Sequence, residues 1–225
     1  MKPVWHWSRR VSAVLVLLAI AWQGWYFGWV VWWKFVNPAK TSFMSLRLDE
    51  LREKDPRAEL KMQWAPYERV SNHLKRAVVA AEDARFSEHE GFDWEGIQKA
   101  LEKNQKKGRI VAGGSTITQQ LAKNLFLSAS KTPWRKAQEA VITLMLETVM
   151  DKRRILEIYL NVVEWGPGIF GAEAAARHYY GLSAAQLSAE QAARLAELLP
   201  NPRKLGRLPN SAYLAARSQV ILGRT

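Results

Sequence analysis

The feature that most constrains this chain is a run of 23 residues without a charge, Val11–Trp33. At about 1.5 Å per residue, a helix of this length exceeds the hydrocarbon core of a bilayer, roughly 30 Å thick, so it can cross a membrane with some tilt. Arg9 and Arg10 precede the run and Lys34 follows it, which is the arrangement expected at the ends of a membrane helix. We expect a single-pass anchor with residues 1–10 on its cytoplasmic side.

A cleaved signal peptide is the alternative interpretation of this run, because Ala19, Ile20 and Ala21 form an A-x-A cleavage pattern after a short apolar stretch. The stretch continues for twelve residues past Ala21, which is longer than a signal peptide needs. Seven of the eleven tryptophans lie in the first 33 residues, and three of them suit a membrane interface: Trp29, Trp32 and Trp33. The anchor is therefore favoured.

The charge of the chain points to an anionic partner. The formal net charge is +12, from 33 lysines and arginines against 21 aspartates and glutamates. This surplus leaves nucleic acid, lipid headgroups and a phosphorylated substrate open. The chain has no cysteine, which excludes disulfides, zinc–thiolate sites and a thiol nucleophile. Positive charge is nearly balanced across the anchor, and we expect residues 34–225 to lie outside the cytoplasm.

The rest of the chain is predicted to be mostly α-helical. Residues 34–62 combine charge, Pro38 and Pro56 with little periodicity, which indicates a linker before a domain over 63–225. Helices are expected to begin after the capping residues Ser71, Asp93, Thr116, Thr132 and Ser188. Further helices are expected over 152–160, 171–180, 189–199 and 212–222, with Gly108 and Gly181 as stops. No convincing strand pattern is present, although a short strand or hairpin near 109–111 is left open.

The segment 82–93 is dense in groups that can transfer a proton. Glu82 falls at the predicted end of a helix, near the apolar Val78 and Phe86. A carboxyl held against apolar neighbours has its pKa raised, which suits it to act as a base near neutral pH. The alternative is a merely solvated helix end. His89 lacks the partner histidine of a zinc motif and is expected to give hydrogen-bonding support.

Two further segments combine glycines and cations. The turn Gly113–Thr116 leads into a helix, where the backbone can approach a ligand closely, but it lacks the spacing of a nucleotide-binding loop. On that helix Gln120 and Asn124 share a face, with Lys123 beside them.

A third segment places Arg135 and Lys136 within one helical turn of Glu139. This pattern is typical either of a salt-bridged surface or of a cationic pocket for a diphosphate with a carboxylate at its edge. The fourth segment, 154–176, is predicted to be a buried helix, a tight turn and a small-residue helix.

Taken together, these segments resemble the peptidoglycan glycosyltransferases, the polymerase domain shared with class A penicillin-binding proteins. The resemblance runs from about Pro66 to Pro202, and it is carried by the strings EDARFSEHEGFD, GGSTITQQLAKNLF, RKAQE and ILEIYLNVVEWGPGIFGAEAAA. We expect a monofunctional member, because no penicillin-binding domain follows. The segment Ser128–Lys131 fits the S-x-x-K of a transpeptidase, but no K-T-G follows it and we interpret it as a loop.

The resemblance implies a lysozyme-like helical domain with a smaller membrane-proximal lobe near Gly91–Thr132. It also implies an inner-membrane enzyme whose periplasmic domain polymerises lipid II. Glu82 would be the base that deprotonates the acceptor's sugar 4-hydroxyl, and Glu139 the family's second glutamate. Lys123, Arg135 and Lys136 would neutralise the departing lipid diphosphate. The remaining substrate-binding positions match Asp83, Phe86, His89, Ser115, Thr116, Gln120 and Asn124.

No cofactor is required by this interpretation, and a divalent ion (Mg or Mn) near Glu139 is left open. The expected partners are lipid II, the growing lipid-linked glycan and membrane lipids, with no nucleic acid; other cell-wall synthesis proteins are left open. Two alternatives remain: a lysozyme-like enzyme that cleaves glycan, and a non-enzymatic membrane-tethered scaffold.

Overall fold

The computed structural model describes residues 3–109, 113–208 and 211–224. It divides into two compact units, Met1–Asn37 and Pro38–Thr225. The first unit contains helix α1, Pro3–Phe35. Its part Arg9–Phe35 is long and apolar enough to cross a membrane, by length and composition. A helix therefore covers the whole charge-free run, as predicted.

The second unit is mostly helical, which confirms the predicted fold class. Its helices are α2, Ser42–Arg52; α3, Asn72–Glu82; α4, Trp94–Lys107; α5, Ile117–Phe126; α6, Pro133–Val149; α7, Lys152–Val162; α8, Ala172–Tyr180; α9, Ala189–Ala196; α10, Pro202–Leu205; and α11, Ala212–Leu222. Two short 3-10 turns cover Tyr67–Arg69 and Ala184–Gln186.

Side-chain caps set most helix starts at the predicted residues. Side-chain oxygens accept a hydrogen bond from a first-turn backbone N–H at Ser71, Asp93, Thr116, Thr132 and Ser188. Gly108 and Gly181 end α4 and α8 in the left-handed conformation, at φ of 60° and 68°. Such positive φ angles favour glycine, which explains why these two residues are good stop signals.

A small sheet is present that local sequence pattern did not predict. Its strands are β1, Lys61–Met62; β2, Glu164–Gly166; and β3, Ile169–Phe170. The order is β1-β3-β2, with β1 parallel and β2 antiparallel to β3. Strands of two or three residues are too short to show an alternating pattern. Of the strand left open at 109–111, residues 110 and 111 lie outside the described residues.

The segment predicted to be a linker contains helix α2, which the sequence analysis did not anticipate. Thr41 caps it by accepting a hydrogen bond from the backbone nitrogen of Met44. Phe43 and Met44 are buried, at 7% and 1% exposure, and α2 packs against α5. The helix was missed because it buries only these two residues, so its sequence shows little apolar periodicity.

The packing of the second unit brings three helices of the site together. Helix α5 packs against α2, α6 and α7, while α3 packs against α9 and α11. The largest fully buried side chains include Trp165, Tyr159 and Phe170. Helix α9 ends at Ala196, three residues before its predicted end, because residues 197–200 form a turn. The end of α3 and the inner faces of α5 and α6 hold most of the residues described next.

Candidate active site

A cavity of about 400 Å³, here called the main cavity, lies between α2, α3, α5 and α6. Five cationic side chains line it: Arg47, Lys123, Lys131, Arg135 and Lys136. Two carboxylates, Glu82 and Glu139, share it with them. A cavity with this excess of positive charge is suited to an anionic ligand.

Glu82 is the last residue of α3 and lies at the edge of the main cavity. Burial raises the pKa of its carboxyl above the ordinary value, and the charges of Glu197 and Asp83 add to this. A hydrogen bond from Gln120 and the charge of Lys123 act in the opposite direction. The predicted rise in the pKa of this carboxyl, with burial as its main cause, is therefore found.

A chain of hydrogen bonds orients Gln120 toward Glu82. Nε2 of Gln120 donates to Oε2 of Glu82 at 2.7 Å. The hydroxyl of Tyr159 donates to Oε1 of Gln120 at 3.0 Å. Tyr159 is fully buried, and this burial raises the pKa of its hydroxyl well above the ordinary value, so it stays a donor. Because Oε1 is occupied by this donor, the amide nitrogen is the group presented to Glu82.

Glu82 also lines a second cavity of about 210 Å³, here called the glycine-side cavity. Its other walls include Asp83, the turn 113–116 and Asp93. A Cβ on Gly114 would lie 3.2 Å from the Cα of Ile97 in α4, whereas a Cβ on Gly113 would meet nothing within 4 Å. Gly114 thus allows a close backbone contact inside the protein, while the space at Gly113 lies beside the cavity.

Asp83 and His89 form the framework behind this second cavity. Oδ1 of Asp83 lies 2.9 Å from Nε2 of His89, and Oδ2 accepts from the backbone nitrogen of Ile117 at the start of α5. The hydroxyl of Thr116 donates to the carbonyl of Gly91 at 2.7 Å. These bonds attach the start of α5 to the segment after α3, so they set the position of Gln120 relative to Glu82. The arrangement fits the hydrogen-bonding support expected of His89.

Phe86 lies in the same framework. Its ring is 4% exposed and packs edge-on against His89, with ring centroids 6.5 Å apart. The ammonium of Lys152 lies 4.6 Å from the centroid of the Phe86 ring. Neither Phe86 nor His89 lines the main cavity or the glycine-side cavity. The structure thus places these two residues behind the cavity walls.

The second predicted carboxylate, Glu139, is buried at 3% exposure between two cations. Nη1 of Arg135 donates to Oε2 of Glu139 at 2.5 Å, and the ammonium of Lys136 contacts the other oxygen. The ammonium of Lys136 also lies 3.5 Å from the hydroxyl of Ser115. The convergence of these three side chains on one face of α6 agrees with the sequence prediction.

The two remaining predicted residues of α5 are neighbours in the sequence, and one of them lines the main cavity. Lys123 lines the main cavity, and burial lowers the pKa of its ammonium. Asn124 is 3% exposed and lines an adjoining cavity of about 230 Å³, here called the side cavity. The side cavity shares Gln120 and Lys123 with the main cavity but does not include Glu82.

Several residues of the site were not predicted from the sequence, among them two from α2, one from a loop and one from α7. Phe43 and Arg47 come from α2, in the segment interpreted as a linker. The segment Ser128–Lys131, which fits the S-x-x-K pattern, is a loop as predicted. Its last residue, Lys131, lines the main cavity. Tyr159 was assigned only to a buried helix. Its hydroxyl was the available signal, because a buried hydroxyl needs a hydrogen-bond partner.

Comparison with known proteins gives one family. The transglycosylase family model matches residues 49–225. A biosynthetic peptidoglycan transglycosylase of Dechloromonas aromatica (strain RCB) is 61% identical over 224 residues, covering 100% of this chain and 97% of its own length. Proteins of the same name from Azoarcus sp. (strain BH72) and Janthinobacterium sp. (strain Marseille) are 62% and 63% identical, each covering 100% of this chain and 96% of its own length.

Proposed function

The chain belongs to the transglycosylase family, and on that premise we propose that it polymerises lipid II into linear glycan strands for cell-wall synthesis. The observation that carries this proposal is the composition of the main cavity. A partly buried carboxyl with a raised pKa, Glu82, shares it with a cluster of cations. A sugar transfer from a lipid diphosphate needs both a base for the acceptor and positive charge for the leaving group.

Glu82 is the proposed general base. It takes the proton of the acceptor's 4-hydroxyl as that oxygen forms a bond to the donor's anomeric carbon. The bond from that carbon to the diphosphate oxygen breaks, and its electron pair leaves with the diphosphate. A single displacement of this kind inverts the configuration at the anomeric carbon. The position of Glu82 between the main and glycine-side cavities supports the proposal, because a base there has space for a substrate on either side.

Gln120 supports Glu82 in this role. The amide N–H stabilises the charged form of the carboxylate, whereas burial disfavours it. Burial raises the affinity of the carboxylate for a proton and the hydrogen bond from Gln120 limits that rise, which suits Glu82 to general-base catalysis near neutral pH.

The cations of the main cavity are proposed to bind the diphosphate. Lys123, Lys131, Arg135 and Lys136 line the same space, so negative charge that develops on the leaving group meets donors already in place. Glu139 holds Arg135 and Lys136 on one face of α6 and keeps them directed at the cavity. Its proposed role is therefore to organise the cationic wall, the part of the main cavity formed by Lys123, Lys131, Arg135 and Lys136.

A divalent ion beside Glu139 does not fit these residues well. Both oxygens of Glu139 already accept hydrogen bonds, from Arg135 and Lys136. Over the described ranges, no group of three or more His, Cys, Asp or Glu side chains is placed to hold a metal ion.

The proposed location is the inner membrane, with α1 as a single-pass anchor and residues 34–225 in the periplasm. The smaller lobe near residues 91–132 is proposed to lie on the membrane surface. Exposed apolar side chains in that region support this: Trp94 and Leu101 of α4 are 72% and 63% exposed. Protease treatment of sealed cells tests the orientation, since cleavage near Lys40 from outside is expected and protection of the whole domain would contradict it.

Incubation of the purified protein with lipid II tests the proposed function. We expect glycan strands to lengthen with time, and lipid diphosphate to be released as they do. A parallel incubation with pre-formed glycan tests the alternative, because a lysozyme-like enzyme would shorten that glycan. Shortening of this glycan without any lengthening from lipid II would contradict the proposal. The cationic wall argues against that outcome, because hydrolysis of glycan leaves no diphosphate to neutralise.

A further inference from the structure

Helix α2 begins ahead of the residues that the family model matches. Its bounds are Ser42–Arg52, whereas the match starts at residue 49. Two side chains from its first half, Phe43 and Arg47, nevertheless line the main cavity. A segment outside the matched residues therefore supplies part of the wall of the site.

Arg47 is held in place by carboxylates from two elements. Its Nε donates to Glu164 at 3.2 Å, and its Nη1 donates to both oxygens of Glu50, at 2.9 and 2.7 Å. Its guanidinium carbon lies 4.5 Å from the centroid of the Phe43 ring. Within the part of the chain that the structure describes, Nη2 has no hydrogen-bond partner. A guanidinium that is held in place, lines a cavity and still has one nitrogen available to donate is suited to bind a phosphate oxygen.

The charges around Lys123 point to an anion as the ligand. Positive charge on Arg135 and Arg47 acts to lower the pKa of the Lys123 ammonium, after the larger effect of burial. The negative charge of Glu139, which is the largest of the electrostatic effects, and the smaller effect of Glu82 act to raise this pKa. Cations that the fold holds near one another repel, and an anion bound among them relieves that repulsion.

The position of Arg47 indicates which step it serves. Arg47 lines the main cavity and also the side cavity, where Lys123 and Gln120 are its neighbours and Glu82 is absent. Arg47 therefore lines both cavities, one of which does not include the proposed base. Because a substrate diphosphate is already negatively charged before the reaction begins, a cation at this place contributes to binding in the ground state as well as in the transition state.

We propose that Arg47 is a substrate-binding residue, which contacts the diphosphate of the lipid-linked substrate from the α2 side of the main cavity. The inference rests on the proposed function, because it takes this cavity to bind a diphosphate. Helix α2 then has two roles. Phe43 and Met44 complete the core, and Arg47 completes the substrate site. Loss of the Arg47 side chain is expected to weaken substrate binding more than it slows the chemical step.

The test uses the full-length protein and a variant that separates binding from folding. Arg47→Ala alone would leave the buried Glu164 without its ion-pair partner, so the decisive variant combines Arg47→Ala with Glu164→Gln. Arg52→Ala is the matched control, because Arg52 is an exposed residue of the same helix whose Nε donates to the backbone of Ala58. Initial rates at several lipid II concentrations give KM and kcat. Calorimetric titration with inorganic pyrophosphate measures anion binding directly, and a thermal melt checks folding.

In the folded double variant we expect KM to rise about tenfold or more, as the loss of one charge-assisted hydrogen bond implies. Pyrophosphate binding should weaken, while kcat changes less than KM. Arg52→Ala should match the wild-type protein in all measurements. A folded double variant with wild-type KM and wild-type pyrophosphate affinity would overturn the inference, since Arg47 would then serve only to neutralise Glu164.

Lys123→Ala distinguishes failure of this inference from failure of the proposed function. If Lys123→Ala loses turnover and the double variant behaves as wild type, only the role of Arg47 is wrong. If Lys123→Ala also polymerises at the wild-type rate, the main cavity does not serve a diphosphate and both proposals are wrong.

Discussion

Nε2 of Gln120 lies 2.7 Å from Oε2 of Glu82, so the carboxylate at the end of α3 is held by an amide on α5. The amide is itself fixed by the hydroxyl of Tyr159 on α7. Three helices thus determine the direction in which Glu82 points, and a group with no access to solvent takes part in positioning it.

Replacement of Tyr159 by Phe should lower kcat, because the oxygen of the Gln120 amide then loses the donor that holds it, and the amide positions Glu82 less firmly. We expect a loss of about 3- to 10-fold, the size of one neutral hydrogen bond. Tyr179→Phe is the matched control, since the hydroxyl of Tyr179 donates to the carbonyl of Trp165, away from Glu82. Equal activity of the two folded variants would show that the Tyr159 hydroxyl has no role in positioning.

Glu82→Gln should stabilise the folded protein at neutral pH. Burial raises the pKa of Glu82, so the native state binds its proton more tightly than the unfolded state. Between the unfolded and folded pKa values the native state holds more protons, and stability therefore falls as pH rises through that window. Gln cannot ionise and avoids this loss. Thermal melts should show a higher Tm for the variant at pH 7 and a smaller difference at pH 4; a pH-independent difference would contradict this account.

Replacement of Lys123 or Arg135 by Ala should lower turnover strongly, at a cost of roughly 2–4 kcal/mol in activation free energy, because a charge-assisted contact to the developing anion is lost. Arg135→Lys should recover part of the rate, since lysine keeps the charge but lacks the planar fork. Lys99→Ala is the matched control, because the Lys99 side chain is 75% exposed on α4. Wild-type rates for the Ala variants would mean that these cations form only a salt-bridged surface.

Several helix starts and stops were predictable from the sequence because capping is a local interaction. Ser71, Thr116 and Ser188 each bond to a nitrogen within three residues, so the signal lies in a few adjacent letters. The rise in the pKa of Glu82 was predictable for a similar reason, since apolar residues flank it at helical spacing.

The residues that were missed depend on contacts between distant parts of the chain. Arg47 reaches the site only because α2 packs on α5, and its partner Glu164 is 117 positions away. Lys131 is in a loop, where no periodicity shows which way a side chain faces. Strands β1 and β3 pair across more than a hundred residues over two positions each, which leaves no local pattern.

Truncation separates the anchor from the domain. Deletion of residues 1–35 removes most of the first unit and leaves α2 whole, so the remaining chain should fold with nearly the full-length Tm and still bind vesicles weakly. Met44→Ala in that shortened chain should cost about 2–5 kcal/mol of unfolding free energy, because Met44 is 1% exposed. A thermal melt measures the Tm, sedimentation with vesicles measures the binding, and chemical denaturation measures the unfolding free energy. An unchanged stability of the Met44→Ala variant would show that α2 is not part of the core.

The two carboxylates of the main cavity should differ in effect. Glu139→Gln weakens the hold on Arg135 and Lys136 but leaves the base in place, so we expect a reduced rate with more residual activity than Glu82→Gln. Rates measured side by side under the same conditions decide this. A greater loss of rate for Glu139→Gln than for Glu82→Gln would contradict the assignment of the proton transfer to Glu82.

Chain elongation from lipid II by full-length Glu82→Gln, with a thermal melt to confirm folding, tests the central claim most directly. The amide nearly preserves the shape of the carboxylate and can still accept the hydrogen bond from Gln120, but it cannot take a proton. We predict a loss of about 10²–10⁴-fold in rate, the usual contribution of a general base, with lipid II binding retained. Elongation by the folded variant at close to the wild-type rate would show that Glu82 is not the base and would contradict the mechanism.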